Sequence, residues 1–239
     1  VHLSAGHPAT TDAFLRFVDQ VVSGRTDRFF ILGDLFEYWA GDDDLDDPLA
    51  QVVVARLRRL ADGGVSIGFI AGNRDFLIGD AFAAAAGLDL LPDPYRTRIE
   101  GVELLLSHGD ALCVDDVDYQ RFRATVREPR WQRGFLAKPL AERRAIIADA
   151  RQQSEAAKRD KAPGIMDAND VAVAELLAAH PGTVLIHGHT HRPAQHIHSG
   201  SDQPRERWVL TDWDAEATPP RAGGLALTGG RIVRVAATG

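Results

Sequence analysis

Arg28-Phe29-Phe30-Ile31-Leu32-Gly33-Asp34 is a run of β-prone, mostly apolar residues that stops at a polar turn. The same layout recurs three times. Val65-Ser66-Ile67-Gly68-Phe69-Ile70-Ala71 runs into Gly72-Asn73-Arg74-Asp75. Val102-Glu103-Leu104-Leu105-Leu106 runs into Ser107-His108-Gly109-Asp110, and Thr183-Val184-Leu185-Ile186 into His187-Gly188-His189-Thr190-His191. Short, nearly continuous apolar runs suit strands buried on both faces. Apolar residues at helical spacing lie between some of them. Phe14, Leu15, Val18 and Val22 follow Thr11-Asp12 and end at Gly24. Leu49, Val52, Val53, Leu57 and Leu60 close at Gly63-Gly64, and Val171, Val173, Leu176 and Leu177 precede Pro181-Gly182. Strands alternating with helices predict an α/β architecture.

Two regions break this rhythm. Residues 119–167 are rich in Arg, Lys, Ala and Gln and show no strand pattern, which predicts a helical insertion or lid within one domain spanning 1–239. The tail reads as short strands at Gln195–His198, Arg207–Leu210, Leu225–Leu227 and Ile232–Val235, with a hairpin turn at Gly229-Gly230.

Composition narrows the class. The chain has 239 residues, 45% hydrophobic and 26% charged, which excludes a disordered chain. Lys plus Arg number 27 and Asp plus Glu 34, so the net charge of −7 makes a general nucleic-acid binder a poor fit. The single cysteine, Cys113, cannot pair within the chain, which suits a reducing compartment. No apolar stretch approaches the roughly 20 residues of a spanning helix. The expectation is a cytoplasmic protein that touches a membrane surface at most.

Ligands of open α/β sheets sit beyond the carboxyl ends of strands. Each of the four strand exits carries potential metal ligands there: Asp34, Asn73, His108, and His187 with His189. One such Gly-Asp or Gly-Asn is ordinary turn chemistry; four in succession, all oxygen or imidazole donors, point to a metal centre. The donor set suits Mn, Fe or Zn rather than a Cys-rich structural zinc site. Two oxygens on Asp34 allow it to bridge two ions, and an ion pair about 3.5–4 Å apart clamps an in-line displacement at phosphorus.

These motifs resemble the calcineurin-like metallophosphoesterases. Gly33-Asp34-Leu35-Phe36-Glu37, Gly72-Asn73-Arg74-Asp75, His108-Gly109 and Gly188-His189-Thr190-His191 match that pattern, and Val1-His2-Leu3-Ser4 matches the end of its first Asp-x-His block. The expectation is that a further strand, about 5–6 residues long and ending in that Asp, precedes Val1. The longer runs Gly33–Asp44, Gly72–Leu77, His108–Cys113, Ile165–Asp167 and His187–Pro193 resemble one group within it, the UDP-2,3-diacylglucosamine diphosphatases of lipid A biosynthesis. The resemblance implies a sandwich of two β-sheets flanked by helices, and hydrolysis of the diphosphate to UMP and 2,3-diacylglucosamine 1-phosphate (lipid X). It also implies two Mn²⁺ ions whose bridging hydroxide attacks the α-phosphorus. One ion takes the preceding Asp, His2, Asp34 and His189; the other takes Asp34, Asn73, His108 and His187. Asn73, Arg74 and His108 are the expected catalytic residues. Asp116, Ser154, Lys158 and Lys161 are the expected substrate contacts, with Asn73, Arg74 and His187 near the diphosphate. Peripheral attachment to the cytoplasmic face of the inner membrane also follows, with no nucleic acid or obligate protein partner.

Arg74 can be argued physically. Many phosphomonoesterases of the superfamily carry His there, where it protonates an alkoxide leaving group. Arginine cannot release a proton at neutral pH. A diphosphate leaves as a phosphate and needs charge neutralisation instead, which a guanidinium fork supplies. The alternative for Arg74 is an ion pair with Asp75. In the insertion, Phe135, Leu136, Leu140, Ile146 and Ile147 offer apolar surface, rimmed by Arg130, Arg133, Lys138, Arg143 and Arg144. That mix suits acyl chains or an anionic membrane face, or a plain helix pair packed on the core. Asp42-Asp43-Asp44 with Asp46-Asp47 lacks the central Gly and terminal Glu of an EF-hand and reads as a loop. His191 is a ligand candidate by proximity, although the family pattern uses the two preceding histidines. His7, His180, His196 and His198 read as structural or surface residues, Cys113 as buried, and Trp39 as packing behind the metal loop. Two other readings stay open. One is a phosphodiesterase or nucleotide diphosphatase with a soluble substrate; the other is a catalytically impaired metal-binding module.

Overall fold

A computed structural model describes residues 1–24, 26–160, 165–198 and 205–237, without side-chain detail at 22–23 and 155–160. Strand β1 (Arg28–Leu32) pairs in parallel with β2 (Ser66–Ile70), and β2 pairs in parallel with β3 (Leu88–Leu91). A second sheet has five strands. Its order is β4 (Tyr95–Ile99), β5 (Val102–Ser107), β6 (Val184–His187), β8 (Arg205–Val209) and β7 (Gln195–His198). Its interior pairs, β5 with β6 and β6 with β8, are parallel; the edge strands β4 and β7 run antiparallel to their neighbours. The tail strands β9 (Gly223–Thr228) and β10 (Arg231–Ala236) form a separate hairpin rather than joining either sheet.

Residue alternation explains the layering. Along β1, Phe30 and Leu32 face the second sheet, where they meet Leu104, Leu106, Ile186 and Trp208. Phe29 and Ile31 face the other way, onto helices α1 (Pro8–Ser23) and α2 (Pro48–Asp62). In the second sheet Leu105 and Leu185 turn outward onto Val173 and Leu177 of α7 (Asp170–Ala179). Both sheets are therefore apolar on each face, as the continuous runs predict. Local signals set the helix ends. Asp47 caps α2 by accepting from the backbone N–H of Leu49 and Ala50, with Pro48 in the first turn. Asn169 caps α7 in the same way.

Helix α3 (Asp80–Ala86), β3 and β4 were not legible from pattern. The helix is seven residues long and mostly alanine, so it carries no periodic stripe. Strand β4 is an edge strand, Tyr-Arg-Thr-Arg-Ile, whose two arginines break any apolar run.

Three helices fill the break between β5 and α7: α4 (Val117–Val126), α5 (Pro129–Leu136) and α6 (Leu140–Asp160). They dock more firmly than their composition suggests. Phe135 is only 7% exposed and its ring stacks on Trp131 at 4.9 Å, while Trp131 meets Phe76 at 6.2 Å. Phe135 is therefore core, not surface. Arg143 is 1% exposed and pairs with Asp43 and the Ala40 carbonyl, so it is not a rim cation. Lys138 pairs with Glu142 and Arg144 with Asp44, while Leu136 and Ile146 stay exposed. The acidic loop, read as irregular, holds a single 3₁₀ turn at Asp42–Asp44. Asp42 accepts from Trp39 Nε1 and from the N–H groups of Gly79 and Phe82, which locks α3 to that turn. Trp39 packs on Phe36 and Phe82 behind it.

Candidate metal centre

Asp34, His108 and His189 each offer a ligand atom within 4.8 Å of the others. They come from the ends of β1, β5 and β6, so parallel alignment of strands distant in sequence creates the cluster. Asp34 Oδ2 lies 3.6 Å from His2 Nε2 and 3.7 Å from His108 Nε2. Asn73 Oδ1 lies 3.0 Å from His108 Nε2 and 2.9 Å from His189 Nδ1. His2 reaches the site because residues 2–3 pair in parallel beside the continuation of β1: His2 N–H donates to Asp34 O and Leu3 N–H to Leu35 O, each at 2.8 Å.

The backbone is strained here. His2 (φ 67°), Asp34 (φ 53°), His189 (φ 67°) and His191 (φ 54°) all occupy the left-handed region. Each such residue costs about 1–3 kcal/mol and persists only where its surroundings over-determine it. Gly72 permits the close approach: a Cβ there would lie 2.2 Å from Asp34 Oδ1. Asp75, fully buried, accepts from the N–H groups of Asp34 (3.2 Å), Leu35 (2.6 Å) and Gly72 (2.9 Å). It ties the ends of β1 and β2 together. The guanidinium of Arg74 faces Glu37 at 3.8 Å, and its backbone N–H donates to Asp34 Oδ1 at 2.9 Å.

Charge in the cluster is balanced through the histidines. Burial opposes ionisation of Asp34, yet His108, His2 and His189 outweigh it and hold the carboxyl well below its usual range. Burial and the Asp34 charge push Asp75 up. Burial lowers His187 to about 4 and His189 to about 3, so both are neutral at pH 7 with lone pairs available. Burial also opposes charging His108, but Asp34, Asp110 and the Leu32 carbonyl raise it.

The donor set fits divalent metal ions. His108 Nδ1 lies 2.8 Å from the Leu32 carbonyl, so its N–H is committed there. Its Nε2 then turns to Asn73 Oδ1 and Asp34 Oδ2, oxygens that a cation would join and a lone pair would repel. His187 stands apart from this convergence. It is fully buried, with Nδ1 3.0 Å from Gly188 O and Nε2 3.4 Å from Arg207 Nη1.

Other expected residues take varied places. Asp116 caps α4, accepting from Tyr119 N–H at 3.2 Å, and Ser154 is exposed on α6. Lys161 and the Lys158 side chain lie outside the described residues. Cys113 is buried and its thiol is pushed up to about 12, first by burial and then by Asp110, which disfavours the thiolate. His191, a ligand candidate by proximity, has Nε2 3.1 Å from His2 Nε2. Two residues at the site had no separate signal. Tyr119 stacks on His189 at 5.8 Å and donates to Asp110 at 2.6 Å. Asp110, also paired with Arg123, braces α4 against the end of β5. Only the motif Ser-His-Gly-Asp pointed at it.

This is the layout of a metal-dependent phosphoesterase, and the chain belongs to the calcineurin-like phosphoesterase family, whose sequence profile matches residues 1–193. Among its relatives, the UDP-2,3-diacylglucosamine hydrolase of Aromatoleum aromaticum is 50% identical over 217 residues, covering 91% of this chain and 88% of the relative. The protein of the same name from Chromobacterium violaceum is 48% identical over 237 residues, covering 97% and 94%. That of Escherichia coli O7:K1 is 45% identical over 218 residues, covering 91% and 90%.

Proposed function

We propose that the protein hydrolyses the diphosphate of UDP-2,3-diacylglucosamine, releasing UMP and the acylated sugar 1-phosphate in lipid A synthesis. Relatives of that name at 45–50% identity over most of both chains support the substrate. The observation that carries the chemistry is the convergence of Asp34, His108 and His189 with Arg74 held beside them. Asp34, His2 and His189 would hold one ion and Asp34, Asn73 and His108 the other, with His187, which faces Arg207 here, assigned to complete the second set. We assign both as Mn²⁺, since imidazole and oxygen donors without sulfur suit it. Bound divalent ions supply Lewis acidity and acidify a coordinated water.

The chain's own residues do the remaining work. Asn73 Oδ1 sits between His108 Nε2 and His189 Nδ1, and His108 in turn faces Asp34. Arg74 presents a permanent cation where a general acid would otherwise stand, which favours a phosphate leaving group over an alkoxide. Asp116, Ser154, Lys158, Lys161 and His187 are assigned to substrate binding, with the insertion 119–167 as the lid over the acyl chains. Exposed Leu136 and Ile146, with Arg130 and Arg133 exposed nearby, support docking of the lid on the cytoplasmic face of the inner membrane.

The test is Mn²⁺-dependent UMP release from UDP-2,3-diacylglucosamine, with UDP-N-acetylglucosamine as control and Asp34→Asn as the inactive variant. Release from the acylated substrate alone is expected. Equal release from both would make the protein a general nucleotide diphosphatase.

A further inference from the structure

Helix α6 meets the acidic segment 37–44 at three arginines. Arg143 pairs with Asp43, Arg144 with Asp44, and Arg151 with Glu37. Arg144 and Arg151 are seven residues apart, two turns along one side of the helix. Two of these pairs only fasten the helix to the loop. The third continues inward. Glu37 Oε1 meets both Arg151 and Arg74, the latter at 3.8 Å, while Glu37 Oε2 lies 2.8 Å from His2 Nδ1. Glu37 is therefore the one described carboxylate here that touches the inserted helix, the guanidinium of the β2 loop and a ring of the metal cluster together.

The consequence follows from imidazole chemistry. Glu37 Oε2 lies close to His2 Nδ1 without an aligned hydrogen bond, so the contact is an ion pair. A carboxylate held at that distance favours the proton on Nδ1, leaves the Nε2 lone pair free and biases the ring plane. His2 Nε2 is the atom that faces Asp34, at 3.6 Å. A carboxylate with one oxygen toward two guanidinium groups and the other toward an imidazole has little freedom to rotate. Removing Arg151 leaves Glu37 with one of its two guanidinium partners, so the carboxylate gains freedom to turn and orients His2 and Arg74 less firmly.

We propose that Glu37 and Arg151 are positioning residues through which docking of α6 sets the orientation of His2 and Arg74. The activity readout rests on the proposed function; the metal-binding readout does not. The experiment titrates the full-length protein with Mn²⁺ alone, following free Mn²⁺ by EPR, for Arg151→Met, Arg151→Lys, Glu37→Gln and the double variant. Arg144→Met is the control, since it loosens the same helix without touching Glu37. Thermal melts accompany each. Arg151→Met and Glu37→Gln are expected to weaken Mn²⁺ binding about 10-fold, the range seen for such outer partners. The double variant is expected to lose little more, and Arg151→Lys to recover part. Arg144→Met is expected to bind Mn²⁺ normally. With the acylated substrate, kcat should fall more than KM rises. Wild-type Mn²⁺ affinity in Arg151→Met at an unchanged melting temperature overturns the proposal. So does an equal loss in Arg144→Met, which would mean that α6 undocks as a whole. A wild-type protein that binds Mn²⁺ but leaves the acylated substrate intact would sink the proposed function while the Mn²⁺ titrations still decide this one.

Discussion

Asp34 and Asp75 are both buried and sit side by side, yet they do different work. Asp34 points its carboxylate at three imidazoles. Asp75 points its own at three backbone N–H groups. Replacing Asp34 with Ala is expected to remove metal binding and cut kcat by at least about 100-fold, the scale of losing one electrostatic partner of a transition state; metal analysis of the purified variant and UMP release check it. Asp75→Asn offers one acceptor oxygen where two are used, and turns a donor toward a donor. A loss of about 1–3 kcal/mol in stability is expected, read from urea unfolding, with activity falling through the displaced Asp34 loop. The ligand positions were legible because Gly-Asp, Gly-Asn, His-Gly and His-Gly-His are local turn chemistry at strand ends. The role of Asp75 was not, because its partners include backbone groups 40 and 41 residues away, brought near only by the pairing of β1 with β2.

At the scale of elements, the insertion shows the limit of composition. Its helical character was readable from Ala, Arg and Gln without strand pattern. Which side faces inward was not, since Phe135 and Arg143 look like surface residues until the acidic turn at Asp42–Asp44 is placed against them. That junction also depends on Gly41. Its φ is +128°, and a Cβ there would lie 2.3 Å from Arg143 Nη1. Gly41→Ala is expected to push α6 off the loop, costing about 2 kcal/mol and exposing 140–150 to limited proteolysis. Unchanged cleavage and melting would show that this contact does not hold the helix.

For the whole molecule, the histidines link stability to pH and metal. In metal-stripped protein, burial lowers His187 to about 4, His189 to about 3 and His191 to about 4. The unfolded chain protonates all three near 6.5. Between that value and about 4 the native state binds fewer protons, so stability is full above pH 6.5 and is lost as pH falls toward 4. His108 is raised and acts in the opposite sense, contributing below 6.5 and less as pH rises through its folded value. Asp75, pushed up to about 6, also acts in the opposite sense, between about pH 4 and 6. The three lowered histidines against these two groups predict a lower melting temperature at pH 5 than at pH 7 after EDTA treatment. Mn²⁺ at about 100 times its Kd is expected to restore roughly 2.7 kcal/mol, and less at pH 5.5, because protons compete for the same nitrogens. A pH-independent melting curve in EDTA would contradict this account.

The amino-acid sequence by itself determined what is local. Apolar runs of strand length, turn residues at their ends, helix caps and donor atoms of the right chemistry are all properties of a few neighbouring residues. It therefore carried the α/β class, the strands that hold the site and the kinds of ligand there. Tertiary structure alone decided what depends on distance in the chain. The alignment of β1, β2, β5 and β6 brings Asp34, Asn73, His108 and His189 within reach of one another. The packing of α6 on the acidic turn buries an arginine that composition placed on the surface. The turning of His187 toward Arg207 sets it apart from that cluster. Each of these is a choice among packings that the same local pattern would allow, and the energy that selects one comes from contacts between residues far apart in the sequence.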